Sequence, residues 1–442
     1  MRFAPSLLRE LGSSYRPLKT PAHEGPAAQR DPAVMQRVSE MLAAIERDGM
    51  DAVLRYASEL DGWTGDEVEL DAAAIRRSGD RLAADHRAAL ELGAERTSAF
   101  ARAQRAHLTD FETELAPGLI TGHRYVPVQR VGAYLPAGRF PLTAGAFMTV
   151  GVPKVAGVRT VLACVPPGPD GTPDPAVLYS AHLSGADRVY VLGGVQALAA
   201  MAFGLLGERP VDVLVGAGNA FVAEAKRQLF GTVGIDLLAG PSEVAVLADE
   251  TADPELVAAD LLGQAEHGVN SPAALVTTSE QLGEAVIEQV QRQLETLATK
   301  EIAGPAWRDH GSVTWAADAE TAVALMDDLA PEHLEVHTAD DEHYHRALHN
   351  YGSIFLGPWS TVAYSDKGMA GTNHVLPTAG GAKHSAGLSV SRFLKPLTYQ
   401  RIAEQATPLL ADAVDVISDY ERMAAHRATA TIRTARYQKG TR

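Results

Sequence analysis

The chain has 442 residues, of which 46% are apolar and 21% charged, a composition typical of a folded globular protein and not of a disordered one. Its formal net charge is −16, which disfavours nucleic acid and anionic membranes as partners, because both attract clustered Lys and Arg. The single cysteine, Cys164, excludes an intrachain disulfide and a cysteine-based zinc site. It lies in an apolar run, residues 161–165, that is typical of a buried strand.

Two segments bear on where the protein resides. Residues 1–30 are rich in Pro and Gly, predict an irregular arm and lack the apolar stretch of a secretory signal, so we expect a cytoplasmic protein. Residues 189–207 carry no charge over 19 positions, close to the length of a membrane span. Gly193 and Gly194 interrupt this segment, which favours a strand, a glycine turn and an Ala-rich helix over a span.

The order of the predicted elements indicates an α/β protein. Asp31-Pro32 begins a helical pattern, with an Asp cap and Pro at the first helical position, that continues to about residue 109. From Arg130, short β-branched runs alternate with helices, which predicts parallel βαβ units. The segment after about residue 396 predicts a helical tail that packs on another surface, such as a second subunit. Predicted strands cover residues 160–165, 188–192, 211–215, 243–247 and 273–277, and predicted helices cover 175–183, 195–206, 219–229, 254–267 and 280–297.

Glycines follow two of the predicted strands. Gly216 and Gly218 stand where a helix N-terminus can accept a phosphate or a nucleotide edge, although the third glycine of a dinucleotide fingerprint is missing. Glycine in such a turn is also typical of simple steric need. Together with Gly193 and Gly194, the pattern favours a degenerate dinucleotide-binding domain.

A possible metal site begins on the predicted helix 254–267. Gln264 and His267 are three residues apart and therefore lie on one face of its last turn, and Asp260 lies on the same stripe. One histidine and one amide are too few for a zinc site, so taken alone these residues favour a polar helix end near a core, and a zinc site needs at least two further ligands.

Further ligands are available elsewhere in the chain. Asp366 lies in a glycine-rich loop, and His426 lies on the predicted tail helix. A competing pair, His345 and His349, has helical spacing but follows an acidic run, which indicates a solvated helix face.

An acid and a histidine stand side by side at Glu332-His333. Adjacent side chains of a strand point to opposite faces, so the pair can serve one site only in a turn or at a helix start, which Pro331 permits. Histidine transfers protons near neutral pH and a carboxylate can activate water, so the pair suits acid–base chemistry. A capped surface turn is the alternative.

These motifs coincide with one family: the chain resembles the histidinol dehydrogenases from about residue 31 to its end. The motifs that carry the resemblance are Val131-Gly-Ala-Tyr134, Gly194-Val-Gln196, Gly218-Asn219, Ala239-Gly-Pro-Ser-Glu243, Gln264-Ala-Glu-His267, Pro331-Glu-His-Leu334, Gly352-Ser-Ile-Phe-Leu-Gly357 and Asn373-His-Val-Leu-Pro-Thr378.

The resemblance implies an enzyme that oxidises an amino alcohol to an amino acid in two NAD-dependent steps at one zinc site. It implies a homodimer in which each zinc takes one ligand, His426, from the partner subunit. The implied roles are zinc ligands Gln264, His267, Asp366 and His426; catalytic residues Glu332 and His333; NAD contacts Tyr134, Gln196 and Asn219; and substrate contacts Ser242, His374 and Glu421.

The resemblance also implies a domain plan with two incomplete Rossmann-like parallel sheets. In this plan an N-terminal arm precedes a main α/β domain with the catalytic and zinc residues, an NAD-binding domain is inserted into it, and a helical tail crosses to the partner. The expected bounds are 1–30 for the arm, 31–133 and 242–388 for the main domain, 134–241 for the insertion and 389–442 for the tail.

The alcohol itself stays open at this point. Asp61-Gly-Trp63, residues 195–201 and Ser365-Asp-Lys367 resemble a paralogous branch that includes sulfopropanediol 3-dehydrogenase, which converts a dihydroxypropane sulfonate to sulfolactate. Ala239-Gly-Pro-Ser242 and Pro331-Glu-His-Leu334 agree with true histidinol enzymes. A zinc hydrolase that uses Glu332, or an inactive binding homologue, explains fewer of the motifs.

Overall fold

A computed structural model describes residues 1–22, 31–65, 67–137, 140–207 and 209–440. Strands and helices alternate through most of this part of the chain, as the sequence pattern predicts. The strands are β1 (Tyr15–Lys19), β2 (Phe111–Ala116), β3 (Leu119–Pro127), β4 (Arg130–Tyr134), β5 (Thr160–Val165), β6 (Arg188–Val191), β7 (Val213–Val215), β8 (Gly234–Ile235), β9 (Val244–Ala248), β10 (Ala273–Thr277), β11 (Ser312–Ala316), β12 (His333–His337), β13 (Ser353–Leu356) and β14 (Leu394–Ile402). The helices are α1 (Pro5–Leu11), α2 (Pro32–Asp48), α3 (Met50–Asp61), α4 (Ala72–Arg77), α5 (Ala84–Ala106), α6 (Val152–Ala156), α7 (Pro175–Leu183), α8 (Gly194–Ala202), α9 (Ala220–Leu229), α10 (Pro254–Ala265), α11 (Glu280–Thr296), α12 (Lys300–His310), α13 (Ala319–Leu329), α14 (Asp341–Ala347), α15 (Val362–Asp366), α16 (Thr407–Tyr420) and α17 (Ala424–Gly440).

The first sheet has the order β1-β11-β10-β9-β12-β13, in which only the edge strand β1 runs antiparallel to its neighbour. Its central strand β9 alternates between two apolar layers: Val244 and Val246 pack with α10 and α11, and Ala245 and Leu247 pack with α13. Helices therefore cover both faces of this sheet.

Strand β12 differs from β9 in what it presents to these two layers. Leu334 and Val336 pack into the layer with α13. Because side chains alternate along a strand, His333, Glu335 and His337 all face the opposite layer, where α10 and α15 lie. One face of a buried strand is thus polar along its whole length.

The second sheet, β6-β5-β4-β7-β8, is parallel throughout. Helices α2, α3, α8 and α9 share one large apolar core with it. Cys164 lies in this core on β5, as the sequence predicts. These parallel sheets confirm the expected α/β class.

A second compact unit, Arg105–Pro127 with Leu394–Arg442, is separate from the unit formed by Met1–Gln104 and Val128–Phe393. It holds the antiparallel sheet β14-β3-β2 and the paired helices α16 and α17. Arg427 on α17 makes a bidentate ion pair with Asp415 on α16, at 2.6 and 2.9 Å. In the described part of the chain, no helix has the length and apolarity needed to cross a bilayer.

Two predictions about the chain ends are wrong. The N-terminal arm is not irregular, because it contains α1 and the strand β1, which pairs with β11; residues 23–30 of the arm lie outside the described residues. The tail does not become helical at about residue 396, because Leu394–Ile402 is a strand paired with β3 and the helices begin at Thr407. Both strands pair with residues far away in the chain, which local periodicity does not reveal.

Candidate active site

Glu332 and His333 stand at the amino end of β12, where the turn after Pro331 enters the strand. The Glu332 carbonyl accepts a hydrogen bond from Ser353, and a Cβ at Gly352 would approach that carbonyl to 2.4 Å, so the neighbouring chain needs glycine there. Both side chains are buried, with 6% and 2% of each residue exposed. The alternative of a capped surface turn is therefore wrong.

The hydrogen bond at Nδ1 fixes the tautomer of His333. Its Nδ1 lies 3.0 Å from the Glu243 carbonyl oxygen, which only accepts, so Nδ1 carries the proton. Its Nε2 is buried, has no hydrogen-bond partner among the described residues, and lies 3.7 Å from Asp366 Oδ1. Burial lowers the pKa of His333, but the negative charges of Glu332 and Asp366 outweigh it, and the pKa is raised overall. Nε2 is thus a basic nitrogen held ready to accept a proton.

The Glu332 carboxylate is held by two donors. Its Oε2 accepts a hydrogen bond from Ser242 Oγ at 2.7 Å and another from the Glu243 amide at 2.9 Å. Ser242 Oγ in turn accepts from the side-chain amide of Gln264. Burial raises the pKa of Glu332, although these donors and His333 oppose the shift. Ser242 therefore connects a catalytic candidate to a metal-ligand candidate.

Three of the four predicted zinc ligands meet beside this pair. His267 Nε2 lies 3.7 Å from Asp366 Oδ2, and Gln264, near the end of α10, is buried and donates to Ser242 Oγ. Two ligands of a tetrahedral zinc, each about 2.0–2.1 Å from the metal, lie roughly 3.4 Å apart, so the pair fits with a small adjustment. Burial lowers the pKa of His267, and neutral imidazole is the form that binds metals. These residues fit a zinc ion.

The competing histidines do not form such a group. His345 on α14 and His349 just after it are exposed, as the acidic surroundings predict. His349 lies 3.5 Å from Asp327, a surface contact.

His374 also faces the candidate site. Its Nε2 donates a hydrogen bond to the Ala144 carbonyl at 3.0 Å, which leaves Nδ1 as an acceptor that is buried and, within the described ranges, without a partner. Burial lowers its pKa, and Asp366 and His333 lie close enough to influence it. The imidazole thus has one free acceptor for a ligand.

Glu421 and His426 lie in the second unit. Glu421 follows α16, His426 is on α17, and both are exposed. The geometry of the first unit neither includes them nor tests their implied roles.

Two of the residues implied for NAD, Tyr134 and Gln196, lie at the carboxyl ends of β4 and β6, and the third, Asn219, follows β7. Tyr134 ends β4, and its hydroxyl accepts a hydrogen bond from the Gly194 amide at 3.2 Å. Gln196, two residues into α8, donates to Asp61 Oδ2 at 2.7 Å and keeps a buried Oε1 that no described residue satisfies. Asn219 is exposed and caps α9 by accepting from two backbone amides. Sequence reasoning noticed Asp61 only as a branch marker and missed its place here.

The glycine turn after β7 is held by a buried ion pair. Gly216 has φ 119°, and a Cβ there would meet the Tyr134 carbonyl at 2.2 Å. Lys226 donates to the Gly216 carbonyl at 2.8 Å, while Asp236 accepts from the Gly216 amide at 2.7 Å. Lys226 and Asp236 also contact each other, with 1% and 3% of each residue exposed. Sequence reasoning missed both residues, because nothing local marks them.

The model of the family described as histidinol dehydrogenase matches residues 26–434. The chain belongs to the histidinol dehydrogenase family. It is 45% identical to a histidinol dehydrogenase homolog of Shouchella clausii over 92% of this chain and 95% of that one. It is also 45% identical to a sulfopropanediol 3-dehydrogenase of Ruegeria pomeroyi, over 91% and 93% of the two chains.

A solved structure is similar across the same range. The histidinol dehydrogenase of Elizabethkingia anophelis superposes with a TM-score of 0.89 at 31% identity, covering 93% of this chain and 95% of that one. This family member is therefore a dehydrogenase, an oxidoreductase built on the histidinol dehydrogenase fold.

Proposed function

We propose that this family member is a zinc-dependent NAD+ dehydrogenase that oxidises a small polar primary alcohol, through a retained aldehyde, to the carboxylate. One observation carries the proposal: the buried pair Glu332–His333 leaves the basic Nε2 of His333 beside the carboxylate of Asp366, a candidate zinc ligand. A proton acceptor next to a metal ligand is what alcohol oxidation requires.

The donor set and the glycine turn supply the two cofactor sites of the proposal. Bound zinc supplies a positive charge that orients polar substrate groups, and bound NAD+ supplies the hydride acceptor. The proposed zinc ligands are Gln264, His267, Asp366 and His426 of the partner subunit, and the proposed NAD contacts are Tyr134, Gln196 and Asn219.

His333 acts as the base in both oxidations of the proposed mechanism. Its Nε2 takes the hydroxyl proton of the alcohol as the hydride leaves to the first NAD+, gives that proton up to solvent, and then takes the proton of the hydrated aldehyde as the second hydride leaves to a second NAD+. The Glu243 carbonyl at Nδ1 supports this role, because it stabilises the imidazolium that forms when Nε2 is protonated.

Glu332 activates the water that hydrates the aldehyde. Its carboxylate is adjacent to His333 and oriented by Ser242 and the Glu243 amide, so its position is set before a substrate arrives. Burial raises its pKa, which makes it a stronger base for water than an exposed carboxylate. His374 offers its free Nδ1 to a substrate hydroxyl or amine.

Two alcohols fit the proposal. L-Histidinol, oxidised to L-histidine, is the type reaction of the family. The alternative is (R)-2,3-dihydroxypropane-1-sulfonate, oxidised to sulfolactate, which the 45% identity to a sulfopropanediol 3-dehydrogenase favours. Burial lowers the pKa of His267 and of His374, and the positive charge of Lys367 lowers both pKa values further. Lys367 therefore lies close to both imidazoles. A positive charge at this place favours an anionic substrate.

A parallel assay tests the function and separates the alcohols. The zinc-loaded protein is incubated with NAD+ and either L-histidinol or the dihydroxypropane sulfonate, and reduced nicotinamide is measured. If the sulfonate is the substrate, Lys367→Met raises its KM on the order of 10-fold, because a charge-assisted contact contributes about 1.5 kcal/mol. Lys300→Met, which changes an exposed lysine at the start of α12, is the matched control. No reduced nicotinamide with any small polar alcohol, from protein that binds zinc and NAD+, contradicts the proposal.

A further inference from the structure

A second cluster of ligand-type side chains lies at the carboxyl end of β12. Asp260 on α10 and Glu335 and His337 on β12 each offer one ligand atom, and these atoms all lie within 4.8 Å of one another. His337 is four residues beyond His333 on the same strand, so their Cα atoms are about 13 Å apart, and Glu335 lies between them. The cluster shares no residue with the proposed zinc site.

The cluster contains polar atoms that the protein does not satisfy. Glu335 Oε2 and both ring nitrogens of His337 are buried and, in the described part of the chain, have no hydrogen-bond partner. The two residues are 0% and 2% exposed. A buried polar atom without a partner costs about 1–3 kcal/mol, so three of them on adjacent side chains require an explanation.

The distances suit a shared divalent ion. His337 Nε2 lies 3.6 Å from Asp260 Oδ2 and 3.7 Å from Glu335 Oε2. Ligands about 2.0–2.2 Å from a tetrahedral zinc lie roughly 3.3–3.6 Å apart, so the three donors need only a small contraction. Direct hydrogen bonds between these groups would need shorter separations.

The remaining carboxylate oxygens are already oriented. Asp260 Oδ1 accepts from Thr361 Oγ1 at 2.9 Å, and Glu335 Oε1 accepts from the Val362 amide at 2.9 Å. Each carboxylate thus has one oxygen bound to the start of α15 and the other directed to the cluster. Such outer hydrogen bonds orient the ligands of metal sites.

The charges of the buried carboxylates also favour a bound cation. Two carboxylates buried side by side repel each other, and burial together with the charge of Glu335 raises the pKa of Asp260 to about 7. Burial lowers the pKa of His337, but the same carboxylates raise it overall, so without a metal a proton on the imidazole balances them, and a divalent cation would take the place of that proton. The Asp260 side chain is 14% exposed, which gives the ion a path from solvent.

We propose that Asp260, Glu335 and His337 form a second divalent-cation site, of the imidazole–dicarboxylate class that suits zinc, with water completing the shell. An ion there joins α10 and β12 to the start of α15. Because α15 carries Asp366 at its other end, the site is structural and fixes a ligand of the first metal.

Metal stoichiometry tests the proposal. The full-length protein is saturated with Zn2+, passed through a desalting column in metal-free buffer, and its zinc content per chain is measured. We expect two zinc ions per chain in the wild type, one in His337→Gln, one in His267→Ala and none in the double variant. His345→Gln, which changes an exposed histidine on α14, is the control and keeps two.

These variants test the two proposed sites independently of each other. Zinc that is unchanged by His337→Gln overturns the second site, whatever His267→Ala does. Zinc that is unchanged by His267→Ala contradicts the first site and leaves the second intact.

A spectroscopic measurement covers the case in which His337→Gln does not fold. His267→Ala loaded with Co2+ has a visible d–d absorption band of a tetrahedral site, and Asp260→Asn in that background, which keeps an oxygen for Thr361, loses the band. No band in His267→Ala, or an equal band in both variants, overturns the proposal.

Discussion

Glu332 Oε2 lies 3.5 Å from His333 Nδ1, although the two residues are neighbours in the chain and β12 begins at the second of them. Side chains of adjacent strand residues diverge, so this approach depends on the turn before the strand. The Glu243 backbone binds both residues: its amide donates to the carboxylate and its carbonyl accepts from the imidazole. One peptide segment thus sets the geometry of the pair.

This arrangement predicts that substitutions of Glu332 and His333 affect the two oxidation steps differently. His333→Asn removes the base of both oxidations, so we expect alcohol and aldehyde oxidation each to fall about 10²–10⁴-fold. Glu332→Gln removes the activation of water and should reduce aldehyde oxidation more than alcohol oxidation. Single-turnover rates with each substrate measure the two steps. Equal losses in both steps for Glu332→Gln contradict the division of roles.

The buried pair Lys226–Asp236 predicts a loss of both stability and cofactor binding. Lys226→Met leaves the Asp236 carboxylate buried and unpaired, so we expect the free energy of unfolding to fall by about 3–5 kcal/mol. Because both side chains bind the Gly216 backbone, the KM for NAD+ should rise in protein that remains folded. Denaturant unfolding and steady-state kinetics measure the two effects.

A surface ion pair provides the matched control. Lys154 lies 3.0 Å from Asp187, with both side chains about a third exposed, so Lys154→Met should cost about 0–1 kcal/mol. An unchanged KM for NAD+ in stable Lys226→Met protein argues against a positioning role for the pair.

The sequence contained much of the fold and the polar groups of the site, but not their neighbours. The strand over Thr160–Val165 and the cap at Asn219 follow from local periodicity and turn chemistry. Asp61 and Asp236 reach their places only through contacts between distant segments, 135 residues apart for Asp61 and Gln196. Of the cluster at Asp260, the sequence pattern indicated only Asp260 itself, because it shares a helix stripe with Gln264. Its partners on β12 depend on strand register, which the local sequence does not reveal.

Lys19 on β1 predicts a pH dependence of stability. Burial lowers its pKa to about 8, while Nζ donates to the Trp307 carbonyl at 2.8 Å. Between pH 8 and the ordinary pKa of 10.5, the unfolded chain holds the Lys19 proton and the folded chain releases it, so stability from this group rises with pH. The stability of the wild type relative to Lys19→Met should therefore increase as the pH rises over this range. A difference independent of pH contradicts the assignment.

In the proposed homodimer, each site takes His426 from the other chain. His426 lies on α17 in the second compact unit, whereas His267, Asp366 and His333 lie in the first. Purified mixed dimers of His333→Asn and His426→Ala chains test the exchange, because either variant alone should be inactive. In the mixed dimer one site carries both lesions and the other carries neither, so activity should return to about half that of the wild-type dimer. If His426 acts within its own chain, each site retains one lesion and the mixed dimer stays inactive. Mixed dimers that form, as shown by mass, but stay inactive therefore contradict the shared site, whereas recovered activity requires a ligand that crosses between subunits.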